Sequence, residues 1–124
     1  MSDLSEDALA ANEAFYAAFA ARDLGAMDAL WSRRGGVTCI HPGWNALVGR
    51  EDVMASWEAI LGNPAQPRVV SGGARVELAG DAAIVSCREL VAGSPLIATN
   101  VFVREDERWR LLHHHAGPVM QVET

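Results

Sequence analysis

Three of the chain's four histidines are consecutive and lie near its C-terminal end. They end a segment of apolar and arginine residues that is typical of a β-strand. Because successive side chains of a strand point to opposite faces, alternation places His113 and His115 on one face and His114 on the other. The same alternation groups Trp109 and Leu111 with the pair of histidines. At least one imidazole is therefore predicted to point inward, where a pKa near neutral suits proton transfer or ligand binding.

Glu89 is the acidic residue best placed for proton transfer. Its strand alternates so that Val85, Cys87 and Glu89 lie on one face, with Ser86 and Arg88 on the other. If the apolar face is the inner one, desolvation raises the pKa of the carboxyl, which suits a general acid or base. If Glu89 instead points outward, it is a surface acid paired with an arginine. The sequence leaves both interpretations open.

Other polar side chains interrupt apolar segments. Asn100 places an amide that needs a hydrogen-bond partner inside a strand. It could orient a ligand carbonyl or hold Glu89, or it could be tied into neighbouring structure. Tyr16 could donate its phenol to a ligand oxygen. His41 ends a short strand before a loop that carries Trp44, so both rings are candidates for a pocket rim, although a lone histidine there can also be structural.

The last hairpin offers a geometric test of which histidine points inward. With its turn centred near Asp106, Asn100 is predicted to face Ala116, and Phe102 to face His114. In that register His114 shares the pocket face with Asn100, and the flanking histidines point outward as interface residues. A bulge would reverse this assignment, so all three histidines remain candidates for the site.

The remaining candidates for ligand contacts are aromatic and imidazole side chains, most of them predicted to lie in the core or an interface: Phe19, Trp31, Trp57, Phe102, His113 and His115. The last two could also supply two metal ligands, but the signal is weak because helical HExxH and paired CxxC motifs are absent. No metal and no cofactor are therefore expected. Cys39 and Cys87 are isolated in apolar runs and are predicted to be free, buried thiols.

Composition excludes several classes of function. The formal net charge of −6 argues against a nucleic-acid partner. The chain contains no lysine, which excludes Schiff-base chemistry and a Walker-type phosphate lysine. No apolar run approaches the roughly 18 residues that span a bilayer, and the first residues do not form a signal peptide. We expect a cytoplasmic protein without a membrane partner.

Hydrophobic periodicity divides the chain into a helical first half and a strand-rich second half. Helices are predicted at residues 6–22, 24–31 and 50–61. Strands are predicted at residues 37–41, 68–79, 82–91, 96–104 and 108–116. Ser5 and Asp23 are the expected caps of the first two helices, and Gly72 and Gly73 indicate a bulge. Short turns between the strands imply antiparallel hairpins, so the fold is α+β in one domain, 1–124.

In the order of its elements, the chain resembles the nuclear transport factor 2-like superfamily, in its SnoaL-like or ketosteroid-isomerase-like branch. Three segments carry the resemblance: residues 15–31 with Ala21-Arg22-Asp23-Leu24 between two helices, residues 37–42 followed by Leu47-Val48-Gly49-Arg50 and the helix of Trp57, and residues 109–115 after an acidic turn. The chain is also similar to the association (hub) domain of calcium/calmodulin-dependent kinase. The positions that match Glu89 and Asn100 are usually basic in that domain, and here the chain departs from it.

The resemblance implies a cone-shaped fold, in which three helices from the N-terminal half pack against a strongly curved antiparallel sheet and leave a pocket between them. It also implies homodimers formed through sheet faces. Members of the superfamily include isomerases, dehydratases, cyclases, hydroxylases and noncatalytic binders, so the fold alone does not define a reaction.

We therefore expect a domain that binds a small organic ligand in an apolar pocket. If it is an enzyme, the expected chemistry is cofactor-independent isomerisation or dehydration by proton transfer next to a carbonyl. Glu89 or an inward histidine such as His114 would move the proton, and Asn100 or Tyr16 would hold the developing oxyanion. The alternative is a noncatalytic ligand-binding or oligomerisation module similar to the kinase association domain.

Overall fold

This computed structural model describes residues 3–120, which contain three helices and six strands joined by loops. The helices are α1 (Leu4–Ala21), α2 (Leu24–Leu30) and α3 (Arg50–Gly62). The strands are β1 (Thr38–Ile40), β2 (Leu47–Val48), β3 (Val69–Ala79), β4 (Ala82–Val91), β5 (Ser94–Glu105) and β6 (Arg108–Pro118). The predicted α+β class is confirmed. Among these elements, β2 was not predicted, because two residues are too few to show a period.

Capping residues define the connection between the first two helices. α1 begins after Asp3, whose carboxylate accepts a hydrogen bond from the amide of Ser5 at 2.8 Å, so the cap precedes the predicted one. α1 ends at Ala21, and its C-cap residue Arg22 adopts the left-handed conformation with φ of 54°. Asp23 then caps α2, as predicted, by accepting from the amide of Ala26 at 3.0 Å. The tight turn packs α2 against α1.

The six strands form one curved sheet in the order β2-β1-β6-β5-β4-β3. β3 to β6 pair as the predicted antiparallel hairpins. β1 runs antiparallel to β2 but parallel to β6, so the sheet is mixed rather than wholly antiparallel. A bulge interrupts the β3–β4 pairing after Gly72, at the predicted place, and a second one interrupts the β5–β6 pairing. Bulges bend and twist a sheet, which contributes to its curvature.

The bulge in β6 sets the direction in which the histidines point. Next to the turn Phe102 pairs with Leu111, whereas farther along Asn100 pairs with His114, so Leu112 is the additional residue. The predicted pairs of Asn100 with Ala116 and of Phe102 with His114 are wrong. The predicted pairs would need a turn centred near residue 108, whereas the hairpin closes at Asp106 and Glu107, and the bulge then shifts the pairing by one residue.

The bulge also corrects the grouping of side chains predicted for β6. Trp109, Leu111 and His114 all face inward and are buried, although simple alternation placed His114 on the opposite face. His113 is half-buried and His115 is exposed, both on the outer face. The hairpin prediction that His114 is the inward histidine therefore agrees with the structure, although the pairs on which it was based do not.

The core lies between the helices and the inner face of the sheet. Its largest fully buried side chains include Trp31, Trp57, Phe15, Phe102, Met27 and Leu111. Cys39 and Cys87 are buried and free, as predicted. Across residues 3–120, no helix combines the length and the apolar character that a membrane crossing requires.

Candidate functional site

A cavity of about 190 Å³ lies between the helices and the inner face of the sheet. Its polar lining consists of His41, Gln66, Glu89 and His114. Its apolar lining includes Phe19, Trp44, Ile60 and Val69. An apolar cavity of roughly 150 Å³ admits benzene, so this space accommodates a ring-sized molecule. The lining matches the usual composition of a ligand pocket, which is mostly apolar with a few polar groups.

Glu89 provides the carboxyl group of this cavity. It lies on the inner face of β4 with Val85 and Cys87, and only 4% of its surface is exposed, so it is not an outward surface acid. Burial raises the pKa of the Glu89 carboxyl above its ordinary value, and a hydrogen bond from Tyr16 opposes part of that rise. The Tyr16 hydroxyl donates to Oε2 at 2.6 Å. Among residues 3–120, Oε1 makes no hydrogen bond and is therefore available to a ligand.

The donors of Tyr16 and Asn100 are already used inside the protein. The Nδ2 group of Asn100 donates to Oδ1 of Asn12 at 2.8 Å and to the Tyr16 hydroxyl oxygen at 3.2 Å. The Cys87 thiol donates to the same hydroxyl oxygen at 3.4 Å. Because an amide has two N–H groups and a phenol has one O–H, neither Asn100 nor Tyr16 retains a donor for a ligand. Desolvation and the neighbouring Glu89 raise the pKa of Tyr16, which keeps the phenol protonated.

This network fixes the tautomer of His114. Both N–H groups of Asn100 point elsewhere, so its Oδ1 atom must be the acceptor of the 2.5 Å hydrogen bond with Nδ1 of His114. His114 therefore carries its proton on Nδ1, and the unprotonated Nε2 is its remaining polar atom. Burial, with smaller contributions from the other three histidines, lowers the pKa of His114 to about 3. The imidazole is neutral at physiological pH.

The tautomer of His41 follows from the same reasoning. The Ser56 hydroxyl donates its proton to the carbonyl oxygen of Val53 at 2.6 Å. Its oxygen must then accept the 2.9 Å hydrogen bond from Nε2 of His41, which places the His41 proton on Nε2. Burial lowers the pKa of His41 to about 4, so this imidazole is also neutral. Trp44 packs edge-on against it, with ring centroids 4.8 Å apart.

The structure brings most of the predicted site residues together, but not all of them. Trp57 lies behind the cavity, with its ring centroid 4.8 Å from that of His41. Trp31 and Phe102 are fully buried in the core and do not line the cavity. His113 and His115 lie on the outer face, as described above. In the described part of the chain, no cluster of three or more histidine, cysteine or acidic side chains could hold a metal ion.

Sequence reasoning missed three residues that complete the site. Asn12 lies one helical turn before Tyr16 on the buried face of α1, and this spacing was the available signal. Ser56 lies on the buried face of α3 close to Trp57, where a small hydroxyl carries no distinctive pattern. Gln66 belongs to the loop before β3 and reaches the cavity only because of the path of that loop.

A wider groove of about 370 Å³ adjoins the cavity, and Phe19, Gln66 and Val69 line both spaces. The guanidinium group of Arg22 lines the groove and donates to the carbonyl oxygens of Asn63 at 2.6 Å and of Gln66 at 2.8 Å. These bonds attach the loop between α3 and β3 to the end of α1. Arg22 thus holds the segment that carries Gln66 at the cavity.

Comparison with known proteins places the chain among proteins of the same architecture. The model of the SnoaL-like domain matches residues 8–121. A Streptomyces avermitilis protein, provisionally named a dehydratase of the NTF2-like family, has a structure with a TM-score of 0.86 and 34% sequence identity. That similarity covers 94% of this chain and 96% of the other.

Two further relatives have different names. A Thiobacillus denitrificans protein, provisionally named a calcium/calmodulin-dependent protein kinase type II association domain, has 37% identity and a TM-score of 0.82, covering 90% of this chain and 94% of the other. The F-box protein SKIP8 of Arabidopsis thaliana is 30% identical over 118 residues, covering 90% of this chain. The chain spans about half, 49%, of the length of that curated relative.

Proposed function

Because this chain belongs to the SnoaL-like domain family, we propose that it binds a small organic molecule in the Glu89 cavity and moves a proton next to a carbonyl group. The reaction is an isomerisation or a dehydration, and it uses only side chains of the protein. The observation that carries the proposal is the buried Glu89 carboxyl, which has one oxygen tied to Tyr16 and the other available in a cavity of about 190 Å³.

In this mechanism Glu89 is the group that carries the proton. The carboxylate accepts a proton from the carbon next to the substrate carbonyl, and the electron pair of the broken C–H bond delocalises onto the carbonyl oxygen. In an isomerisation, the carboxyl returns the proton to another carbon. In a dehydration, the C–O bond of a β-hydroxyl breaks and the carboxyl protonates the leaving group, so water is released. Both cycles regenerate the carboxylate.

The neighbouring residues position and tune this carboxyl. Desolvation moves its pKa upward from the ordinary value, toward the range in which a general base works well at neutral pH. Tyr16 holds Oε2, and Asn100 holds both Tyr16 and His114. Since the donors of Tyr16 and Asn100 are already used, we propose that they position Glu89 and His114 and do not bind the oxyanion directly.

Exchange of the α-protons of 4-hydroxycyclohexanone, a ring-sized ketone that also carries a hydroxyl group, tests this proposal without knowledge of the natural substrate. Proton exchange in D2O can be followed by NMR, with the buffer rate subtracted. We expect the wild type to accelerate exchange and Glu89→Gln to lose about 10²- to 10⁴-fold of that acceleration, which is the usual contribution of a general base. His115→Ala, changed on the outer face, is the matched control and should retain the wild-type rate. Equal rates for the wild type and Glu89→Gln would contradict the proposal.

A noncatalytic oligomerisation module is the second candidate, and a separate observation favours it. The outer face of the sheet exposes a group of large apolar side chains, with exposed fractions between 41% and 53%: Val70, Ile84, Leu90 and Ile97. Apolar surface of this kind usually marks an interface. The relative provisionally named a kinase association domain fits the same interpretation. We propose that two copies pair through this face, whether or not the cavity is catalytic.

A further inference from the structure

We propose that the cavity selects an uncharged ligand whose hydroxyl or N–H group donates a hydrogen bond to Nε2 of His114, and that it excludes carboxylates and other anions. This inference rests on the proposed function only in taking the Glu89 cavity as the ligand site. It adds the chemical class of the ligand.

The first argument is the direction of the hydrogen bonds that reach His114. Asn100 uses both N–H groups on Asn12 and Tyr16, so it can offer only its carbonyl oxygen to Nδ1 of His114. The proton is therefore held on Nδ1, and Nε2 is a lone-pair acceptor. His114 is 1% exposed and lines the cavity. Within residues 3–120, Nδ1 makes the hydrogen bond of His114 and Nε2 makes none, so a ligand that supplies a donor to Nε2 is favoured.

The second argument concerns the other polar groups of the cavity. His41 uses its N–H on Ser56, which leaves it no donor for a ligand. Glu89 accepts a hydrogen bond from Tyr16 and, when ionised, offers only further acceptors. Among the four polar lining residues, only Gln66 retains an N–H donor, the second hydrogen of an amide group that also donates to the carbonyl oxygen of Pro67 at 3.5 Å. The lining is thus rich in acceptors, and it suits a ligand that donates.

The third argument concerns charge. None of the described lining residues is an arginine, and both lining histidines are neutral because burial lowers their pKa values to about 4 and about 3. An anion would therefore lose its hydration next to the Glu89 carboxyl without gaining a cationic partner. Arg22 and Arg68 lie in the adjoining groove, and Arg22 donates to backbone carbonyls there. The charge of the cavity wall thus disfavours carboxylates.

Three probes that share a cyclohexane ring test the proposal: cyclohexanol, methoxycyclohexane and cyclohexanecarboxylate. None contains a ketone, so their binding is independent of turnover. We expect cyclohexanol to bind about 3- to 10-fold more tightly than the ether, the value of one hydrogen bond to a neutral acceptor. The carboxylate should bind at least about tenfold more weakly than the alcohol, given the cost of burying an unpaired charge. Titrations at pH 7.5 followed by protein NMR give the three affinities.

A second measurement reads the tautomer of His114 directly in the wild type. The nitrogen chemical shifts of the imidazole distinguish a protonated from an unprotonated nitrogen. We expect a protonated Nδ1 and an unprotonated Nε2 at pH 7.5, and a shift of the Nε2 resonance when cyclohexanol binds. In His114→Phe the preference for the alcohol over the ether should disappear, whereas His115→Phe on the outer face should keep it.

Several outcomes would overturn the inference. These are a His114 protonated on Nε2, binding of the carboxylate as tight as that of the alcohol, or binding of none of the probes. Failure of the proposed function has a different signature, because it is read from α-proton exchange in Glu89→Gln. Selective alcohol binding without Glu89-dependent exchange would retain this inference and remove the catalytic role. Glu89-dependent exchange together with tighter binding of the carboxylate than of the alcohol would retain the catalytic role and overturn the inference about the ligand.

Discussion

At the scale of residues, the hydrogen bonds beside the cavity form one chain in which every donor points toward Glu89. His114 donates to Asn100, Asn100 donates to Tyr16, and Tyr16 donates to Glu89. Each side chain fixes the orientation of the next, because each has used its donors before the ligand arrives. The two ends of the chain, Nε2 of His114 and Oε1 of Glu89, are the atoms left for chemistry. Preorganisation of this kind reduces the cost of positioning a reacting group.

The buried neutral histidines make the fold sensitive to acid. Their pKa values are lowered to about 4 in His41 and about 3 in His114, so below pH 6.5 the unfolded chain binds protons that the folded chain does not. The contribution of these two histidines to the free energy of unfolding is therefore complete above pH 6.5 and decreases as the pH falls toward 4. The expected slope is about 1.4 kcal/mol per pH unit for each histidine. Glu89, whose folded pKa is raised, acts in the opposite sense and reduces the net slope.

Urea unfolding between pH 5 and pH 7.5 measures this effect. We expect His41→Gln, which keeps a donor for Ser56, to lower the slope by about 1.4 kcal/mol per pH unit, the contribution of one histidine. Asn45→Ala, at an exposed position without a titratable group, is the control and should keep the wild-type pH dependence. A His41→Gln variant with the same pH dependence as the wild type would contradict the assignment of His41 as a buried neutral residue.

Part of this site could be predicted from the sequence. Alternation along β4 correctly grouped Glu89 with Val85 and Cys87, because no bulge interrupts its pairing with β5. The sequence could not predict that both N–H groups of Asn100 are already hydrogen-bonded, because one of their acceptors is Asn12, on a helix far away along the chain. The sequence identifies residue types on a face, and only the packed structure identifies which donors are already used.

At the scale of elements, a single additional residue decides which histidine reaches the cavity. Leu112 interrupts the pairing of β6 with β5, and His114 consequently takes the place opposite Asn100. The sequence predicts both strands and their turn, but a bulge leaves no clear trace in a run of three histidines. The same limit applies to β1, whose parallel pairing with β6 depends on the path of the chain through the helices.

The attachment of the α3–β3 loop by Arg22 gives a prediction at this scale. Arg22→Ala removes the hydrogen bonds to Asn63 and Gln66 but keeps a side chain at a positive φ of 54°. Arg22→Gly removes the same bonds and relieves that conformation, which costs an ordinary residue about 1 kcal/mol. We expect both variants to increase amide hydrogen exchange at Gln66, and Arg22→Gly to be the more stable by about 1 kcal/mol. Unchanged exchange at Gln66 would show that Arg22 does not hold the loop.

At the scale of the whole molecule, the two faces of the sheet have separate roles in this account. The inner face carries the cavity, and the outer face carries the exposed apolar group. An interface on the outer face leaves the inner network untouched, so association and ligand binding can be tested separately. We propose that the whole chain, 1–124, acts as one domain with these two surfaces.

Charge substitution on the outer face tests the dimer. Ile97 is 50% exposed and belongs to the exposed apolar group of the outer face, so Ile97→Asp places a charge within the proposed interface. We expect sedimentation to give a dimer for the wild type and a shift to monomer, with at least a tenfold weaker association, for the variant (about 1.4 kcal/mol or more). Leu4→Asp, at an exposed position of α1, is the control and should remain dimeric. A wild-type monomer, or a dimeric Ile97→Asp variant, would exclude this interface.

The central claim is that the fold buries the Glu89 carboxyl beside a ligand cavity as a proton-transfer group. Its most direct test is an NMR titration of the Glu89 side-chain carboxyl carbon, assigned by comparison with Glu89→Gln. We predict a pKa above the ordinary value of 4.5, because burial outweighs the hydrogen bond from Tyr16. In Tyr16→Phe, which lacks that hydrogen bond, the pKa should rise further. A Glu89 carboxyl that titrates at or below 4.5 in the wild type would contradict the account.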